Sequence, residues 1–171
     1  LAEGAIGPLR KGVFHDGHKG PKEIGVGPEF LDWLTDPVQN GGGAIIDFGC
    51  YGANLMSYLM NGQKPISVMA VTRQFKREIY PDVDDEATII VSYRDAQCII
   101  QASWNWPYGR KDMEVYAERG YVIADKESIE FKVSEESETA LEKANPLEKP
   151  LHDPFAYLAG VVRKEISIKP T

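Results

Sequence analysis

The chain has 171 residues, of which 43% are hydrophobic and 26% are charged, and its formal net charge at pH 7 is −7. This composition is that of a globular domain with a core, and its acidic balance argues against nucleic acid and anionic membranes, which select for clustered Lys and Arg. Since no apolar run approaches the roughly 20 residues of a membrane-spanning helix, we expect a cytoplasmic protein that handles a small molecule.

The first forty residues predict one strand and several loops. Residues 1–4 are typical of the end of a helix that closes on a glycine, and residues 6–14 predict a strand. Residues 15–21 are polar and contain glycine and proline, which indicates a loop. Residues 30–34 predict one helical turn.

Residues 44–60 carry the strongest helical pattern, an apolar stripe with a separate polar row. The polar row recurs at i, i+4, i+7 and i+11 and consists of Asp47, Tyr51, Asn54 and Tyr58. It is interpreted either as a solvated, hydrogen-bonded face or as a row of donors and acceptors aimed into a cleft. The glycines at 41–43 favour the cleft, because glycine lets backbone or ligand approach closely.

After this helix the hydrophobic period changes to two, which is typical of strands. Turn residues separate six predicted strands: 66–75, 86–93, 97–106, 113–118, 121–124 and 128–133. Their short connections predict antiparallel pairing. Residues 134–150 are charged and irregular, and a last helix is predicted to run to residue 165 with Asp153 as its N-cap.

This order of elements predicts an α+β fold, a large and predominantly antiparallel sheet with helices packed on one face. One helical layer leaves the second face of the sheet bare. We therefore expect a homo-oligomer that covers this open face, to which four aromatic residues contribute: Tyr93, Trp104, Trp106 and Tyr116.

Several polar residues outside the helix are candidate ligand contacts. His15, Asp16 and His18 could be metal ligands, substrate-hydroxyl contacts or surface residues; a fourth metal ligand is missing, and no metal is predicted. Trp104 and Arg110 are candidate sugar contacts, since aromatic faces pack on C–H surfaces and arginine binds hydroxyls. The alternative for Trp104 is a place in the core or an interface.

Two other pairs are interpreted as structural. Asp84 and Asp85 are adjacent, and adjacent strand residues point to opposite faces, which argues against shared acid–base catalysis. Cys50 and Cys98 lack the Cys-x-x-Cys spacing of a zinc or redox site and are expected to be reduced core thiols. A hydrolase would need convergent carboxylates or a nucleophile–base pair, and no such set is evident.

Residues 41–51 (GGGAIIDFGCY) resemble the Gly-Gly-Gly-x-x-x-Asp-x-Gly-x-His/Tyr signature of the glucose–fructose oxidoreductase / inositol dehydrogenase / MocA (Gfo/Idh/MocA) family. Four other segments are similar to this family in the same order: 4–7 (GAIG), 83–88 (VDDEAT), 114–120 (EVYAERG) and 153–155 (DPF). The resemblance covers nearly the whole chain.

The resemblance implies that residues 1–171 form the substrate-binding and oligomerisation domain of an NAD(P)-dependent oxidoreductase, with the fold of a glyceraldehyde-3-phosphate dehydrogenase-like C-terminal domain. The substrate would be a sugar, a polyol or a related hydroxyl compound. NAD or NADP would be bound by an N-terminal Rossmann domain in cis, and no cofactor site is expected here. Both ends then look truncated, and the piece alone would be inactive.

The resemblance also implies roles for particular residues. Tyr51, where many members have histidine, would transfer the hydroxyl proton and contact the nicotinamide, and Asp47 would orient the substrate or the Rossmann domain's lysine. A free tyrosine has a pKa near 10, so the family's lysine is the implied activating cation. The expected substrate-binding residues are Asn54, His15, Asp16, Trp104 and Arg110. The alternative function is a non-catalytic carbohydrate-binding or oligomerisation module that retains the fold.

Overall fold

A mixed sheet of eight strands, in the order β2-β3-β4-β1-β5-β6-β7-β8, forms the centre of the computed structural model. The structure describes residues 4–145, 147–149 and 151–167; the predicted helix end at residues 1–3 lies outside them. The strands are β1 (Leu9–Gly17), β2 (Ser67–Arg73), β3 (Glu86–Ser92), β4 (Gln97–Ser103), β5 (Arg110–Ala117), β6 (Tyr121–Ala124), β7 (Ser128–Lys132) and β8 (Ala140–Lys143).

Strand β1 lies in the interior of the sheet, parallel to β4 and antiparallel to β5. Every other neighbouring pair of strands is antiparallel. The β-branched residues of β2 and β3 (SVMAVTR and EATIIVS) suit this pleated surface. The predicted α+β fold with a large, mainly antiparallel sheet is confirmed.

Within the described residues five helices accompany the sheet: α1 (Pro21–Ile24), α2 (Pro28–Leu34), α3 (Ala44–Asp47), α4 (Gly49–Leu59) and α5 (Pro154–Val162). Helices α3 and α4 pack on one side of the sheet, against β1, β3 and β4. We call this side the helix face and the opposite side the open face. Phe14 and Ile100 of the sheet and Met56 of α4 share the buried cluster between the two layers.

The predicted helix over 44–60 is two helices, because the chain breaks at Phe48. Two glycines then let α4 lie directly on the sheet. A Cβ on Gly52 would lie 2.7 Å from the side chain of Ile100, and one on Gly49 would lie 3.0 Å from that of Ile89. The break changes the direction of the polar row between Asp47 and the residues that follow it.

Strand β1 continues to Gly17, so the predicted loop at 15–21 begins three residues too early. The reason is pairing on both sides: Gly17 is in register with Ser103 of β4 and with Arg110 of β5. Interior strands hold polar residues in extended conformation when both neighbours supply hydrogen bonds. His15 and Asp16 therefore belong to a rigid strand.

The open face carries an apolar row that crosses four strands. Met69 is in register with Ile90, Ile90 with Ile99, and Ile99 with Val13. Met69 is 61% exposed. The aromatic residues predicted for this face need correction, because Tyr93 and Trp104 are buried in the clusters on the helix face.

Smaller corrections concern the ends of the fold. Strand β8 lies within the segment predicted to be irregular, where it completes the sheet against β7. Cys98 is a free, buried thiol as expected, whereas Cys50 is free but exposed. Asp153 caps α5 as predicted, accepting from the backbone N–H groups of Phe155 and Ala156. Among the described residues no helix is long and apolar enough to cross a bilayer.

Candidate active site

The glycine run before α3 lies in close contact with a second backbone segment. A Cβ on Gly43 would lie 1.9 Å from the carbonyl oxygen of Asp84, so only glycine fits there. The Asp84 carboxylate then accepts from the backbone N–H groups of Gly43 (3.0 Å) and Ile45 (2.8 Å). Gly43 thus admits the Asp84 backbone, and Asp84 acts as an N-terminal cap for α3, in agreement with its structural interpretation.

Asp85, the neighbour of Asp84, serves a separate loop. Its carboxylate accepts from the backbone N–H groups of Phe75 (2.9 Å) and Lys76 (2.6 Å), and the residue is fully buried. The two aspartates therefore hold different backbone segments, as the alternation of strand side chains predicted.

Asp47 is held in place by a buried tryptophan. The indole Nε1 of Trp104 donates to Asp47 Oδ2 at 2.9 Å, and Trp104 has no exposed surface. Burial raises the pKa of Asp47 above its ordinary value, and the Trp104 hydrogen bond opposes that rise. Full burial excludes the predicted contact of Trp104 with substrate. The side chain belongs to the core, and it orients Asp47.

His18 lies beside Asp47, at the end of β1. Its ring packs edge-on against Phe48, with ring centroids 4.8 Å apart, and its Nδ1 accepts from the backbone N–H of Gly20 at 3.0 Å. Burial lowers the pKa of His18, although the nearby Asp47 carboxylate opposes that effect. A neutral His18 with Nδ1 as acceptor carries its proton on Nε2, where it can donate.

The ring of Tyr51 contacts the ammonium group of a lysine on strand β5. The Nζ of Lys111 lies 3.3 Å from the centroid of the Tyr51 ring and 2.7 Å from Oδ2 of Asp16. This ion pair is not an aligned hydrogen bond, so Asp16 Oδ2 has no aligned donor. Burial is the largest influence on Asp16 and raises its pKa, whereas Lys111 lowers it. Tyr51, Lys111 and Asp16 form a contiguous group on the helix face.

This group lines a small cleft of about 130 Å³ between α4, β1, β5 and β6. Phe14, Leu55 and Met113 provide apolar walls, and the polar residues that line the cleft are Tyr51, Asp16, Lys111, His15 and Asp112. Tyr51 remains 44% exposed, which leaves its ring accessible to a partner molecule. Asp16 and Lys111 also act electrostatically on Asp47, with opposite signs.

His15 also lines the Tyr51 cleft, but its side chain pairs with Asp112, and Arg110 is not among the residues that line the cleft. Phe14 and Asp16 point to the helix face, so His15 between them points to the open face, where its Nδ1 lies 2.8 Å from Asp112 Oδ1. Arg110 binds the same carboxylate, with its Nε 2.5 Å from Oδ2. Both side chains are thus engaged with Asp112, and their predicted roles as substrate contacts stay predictions.

The structure groups His15 with residues other than the other two early candidates for metal ligands. His15, Asp112 and Glu114 bring possible ligand atoms within 4.8 Å of one another, and neither Asp16 nor His18 is among them. Arg110 already binds both oxygens of Asp112. A divalent cation would have to displace that guanidinium, so this cluster is a poor metal site.

Asn54 is displaced from the group along α4. It lines a separate cavity with Leu55, Tyr58 and Asn61, beyond the Tyr51 cleft. Its predicted role in substrate binding stays a prediction. The structure thus joins Tyr51, Asp47 and Asp16 in one region of the helix face.

Lys111 and the proximity of His18 to Asp47 were missed from sequence. Lys111 looked like half of an ordinary basic pair, and its place depends on the register that sets it opposite Asp16. The alternation of β1 was an available signal, since residues 16 and 18 are two apart and share a side. Predicting a loop over these residues hid that signal.

Comparison with known proteins shows which family this chain matches and which solved structures have a similar fold. Residues 1–123 match the GFO/IDH/MocA C-terminal domain family. Trans-1,2-dihydrobenzene-1,2-diol dehydrogenase of rabbit (Oryctolagus cuniculus) is 32% identical over 93 residues, which are 54% of this chain and 24% of that protein. The aligned part is therefore about a quarter of the relative.

Two solved structures are similar over nearly all of this chain. An aldose–aldose oxidoreductase from Caulobacter crescentus, complexed with glycerol, has a TM-score of 0.72 at 19% identity and covers 95% of this chain. An inositol dehydrogenase homologue from Azotobacter vinelandii, complexed with NAD+, has a TM-score of 0.70 at 17% identity and covers 92%. The matched regions are 48% and 41% of those chains, so this chain spans less than half of either.

Proposed function

Since this chain belongs to the GFO/IDH/MocA family as a C-terminal domain, we propose that it is the substrate-binding domain of an NAD(P)-dependent oxidoreductase acting on the CH–OH group of a sugar, polyol or diol. The observation that carries the proposal is the polar group on the helix face. An accessible Tyr51 has Lys111 against its ring, and Asp47 lies four residues earlier, before the helix break at Phe48.

In the proposed reaction the phenolate form of Tyr51 takes the proton of the substrate hydroxyl and becomes the phenol. The O–H and C–H bonds break and a carbonyl forms; an oxidised nicotinamide, when bound, would accept the hydride with its electron pair. A positioned acid–base group of this kind contributes typically 10²–10⁴-fold to a rate. Asp47, fixed by Trp104, accepts a neighbouring substrate hydroxyl or orients the cationic partner of Tyr51.

The nicotinamide would be held mainly by a Rossmann domain in cis. The sequence of this chain has no strand followed by Gly-x-Gly-x-x-Gly, the turn that places a pyrophosphate on a helix N-terminus. The exposed ring of Tyr51 fits a role beside a nicotinamide supplied from elsewhere. Residues 1–171 would then serve substrate binding and oligomerisation, and would be inactive alone.

The open face supports the oligomerisation part of the proposal. Its row of Met69, Ile90, Ile99 and Val13 presents apolar side chains across four strands of the sheet. Apolar patches of this kind are typical of surfaces that another protein covers, and a second copy would do so with two-fold symmetry. The cytoplasmic location stays a prediction.

The test uses the complete protein with NAD+ or NADP+ and a panel of trans-1,2-dihydrobenzene-1,2-diol, myo-inositol and simple aldoses. Formation of reduced nicotinamide is followed by absorbance. With the best substrate, Tyr51→Phe should lower kcat by at least about 100-fold. Tyr58→Phe is the matched control, because Tyr58 lies on the same helix and is 72% exposed, and it should retain wild-type activity.

Two outcomes would contradict the proposal. Turnover by Tyr51→Phe within a few fold of wild type would remove Tyr51 from the chemistry. The second outcome is that panel compounds bind but no combination of panel compound and cofactor gives reduced nicotinamide. This result would favour the alternative of a non-catalytic carbohydrate-binding module.

A further inference from the structure

We propose that Lys111 is a positioning residue for Tyr51, a cation supplied by this domain itself and fixed by Asp16. The proposal rests on the proposed function of Tyr51 and deepens it. The structure brings the three side chains into one group, with Lys111 Nζ 2.7 Å from Asp16 Oδ2 and 3.3 Å from the Tyr51 ring centroid. The activating charge expected from another domain thus has a counterpart within this chain.

The position of Lys111 is set by the backbone. Lys111 of β5 is in register with Asp16 of β1, so both side chains emerge side by side on the helix face. Strand β1 pairs on both sides, which fixes the Asp16 carboxylate relative to the sheet. An ammonium group on a flexible four-carbon stem needs such an anchor to keep one location.

The buried carboxylate explains why Lys111 stays in place. The Asp16 side chain is only 10% exposed, whereas that of Lys111 is 44% exposed. Oδ2 of Asp16 has no aligned hydrogen-bond donor among the described residues, so Lys111 is its compensating charge. Removing the ammonium would leave a buried carboxylate without a partner, which is costly.

The contact with Tyr51 fixes the ring from one side. Lys111 lies over the ring, at a distance typical of a cation–π interaction. Phe48 is the aromatic neighbour on α4's side, with ring centroids 6.4 Å apart. No hydrogen bond of the Tyr51 hydroxyl occurs among the described residues, so these ring contacts, and not the hydroxyl, orient the side chain.

Lys111 thus acts on Tyr51 by position, because its ammonium lies over the ring and favours one orientation of the side chain. It does not transfer the proton, since Asp16 holds its ammonium in an ion pair.

The first arm of the test measures catalysis in the complete protein, with the panel compound that turns over best. Lys111→Met should lower kcat about three- to tenfold, the range of one cation–π contact, with KM changed less than about twofold. Lys111→Arg retains a cation over the ring and should recover most of kcat. Lys11→Met removes a lysine charge on β1, where Lys11 bonds Gln97, and is the control expected to match wild type.

The second arm needs no turnover and keeps the two proposals separable. The complete protein is labelled with 3-fluorotyrosine, and Tyr51→Phe identifies the ¹⁹F signal of Tyr51. Lys111→Met and Asp16→Asn should both move that signal, whereas Lys11→Met should leave it in place. An unmoved signal in Lys111→Met overturns the proposal, as does a kcat equal to wild type. Failure of the panel alone would count against the proposed function only.

Discussion

The hydrogen bond between Trp104 and Asp47 can be tested as a coupling energy. Trp104→Phe removes the N–H that donates to Asp47 Oδ2 at 2.9 Å. It keeps an aromatic ring in the core, where Trp104 packs against Tyr80 with ring centroids 4.9 Å apart. Asp47→Ala removes the acceptor. The two single variants and the double variant form a thermodynamic cycle.

The expected magnitude follows from the burial of the pair. A hydrogen bond to a charged group contributes about 1.5–3 kcal/mol to the free energy of unfolding. Loss of the pyrrole part of a fully buried indole adds roughly 1–2 kcal/mol for the cavity. Trp104→Phe should therefore cost about 2.5–5 kcal/mol, of which the cycle assigns about 1.5–3 kcal/mol to the coupling with Asp47.

The coupling also has a defined pH dependence. Burial raises the pKa of Asp47 in the folded chain above its unfolded value. Stability associated with this carboxyl is therefore fully present below the unfolded pKa and is lost as pH rises through the folded pKa. Because the Trp104 hydrogen bond opposes the rise in pKa, Trp104→Phe raises that pKa further. The stability gap between wild type and variant is then largest at neutral pH and shrinks in acid.

Urea unfolding of the four proteins at neutral pH and in the acidic carboxyl range measures both quantities. The free energies are comparable only if the m-values agree. A coupling below about 0.5 kcal/mol at neutral pH lies within ordinary additivity and would refute the reasoning. So would a gap between wild type and Trp104→Phe that does not depend on pH.

Two other predictions concern the backbone contact before α3 and the open face. Gly43→Ala places a Cβ 1.9 Å from the Asp84 carbonyl oxygen and should lower the free energy of unfolding in urea by at least about 2 kcal/mol. The control Gly109→Ala, whose Cβ would have nothing within 4 Å, should lower it by less than about 0.5 kcal/mol. Equal losses of stability in the two variants would contradict the close approach of the two backbone segments. Ile99→Glu, in the apolar row of the open face, should convert the oligomer into a monomer, as measured by light scattering. The control Val38→Glu, at a 91% exposed position, should leave the oligomer intact. A monomeric wild type would contradict the proposed interface.

The architecture of the sheet was accessible from sequence because its signals are local. Period-two patterns and turn residues located seven of the eight strands to within a few residues, and the Asp153 cap located α5. The eighth, β8, was missed because the charged residues around it have no alternating pattern. Its pairing with β7 stabilises a segment that propensity alone does not favour.

The candidate site was only partly accessible, because its membership depends on which face a residue occupies. Asp16 and Tyr51 were predicted together and lie together, with Lys111 between them. His15 lines the same cleft, but its side chain pairs with Asp112, because adjacent strand residues face opposite ways. Trp104 was assigned to substrate from its chemistry, but its burial against Tyr80 depends on packing that sequence does not express.

Adjacent residues of β1 and β5 place their polar side chains on opposite faces of the sheet. On the helix face Asp16 fixes Lys111 next to an accessible tyrosine, whereas on the open face Asp112 is shared between His15 and Arg110. A shift of one residue in this pairing would exchange the faces, and it would remove the cation from Tyr51. The glycines that admit Asp84 and let α4 lie on the sheet act on the site through distance. These glycines hold Tyr51 over β5, the strand that carries Lys111. In this way structural residues support the proposed chemistry of Tyr51.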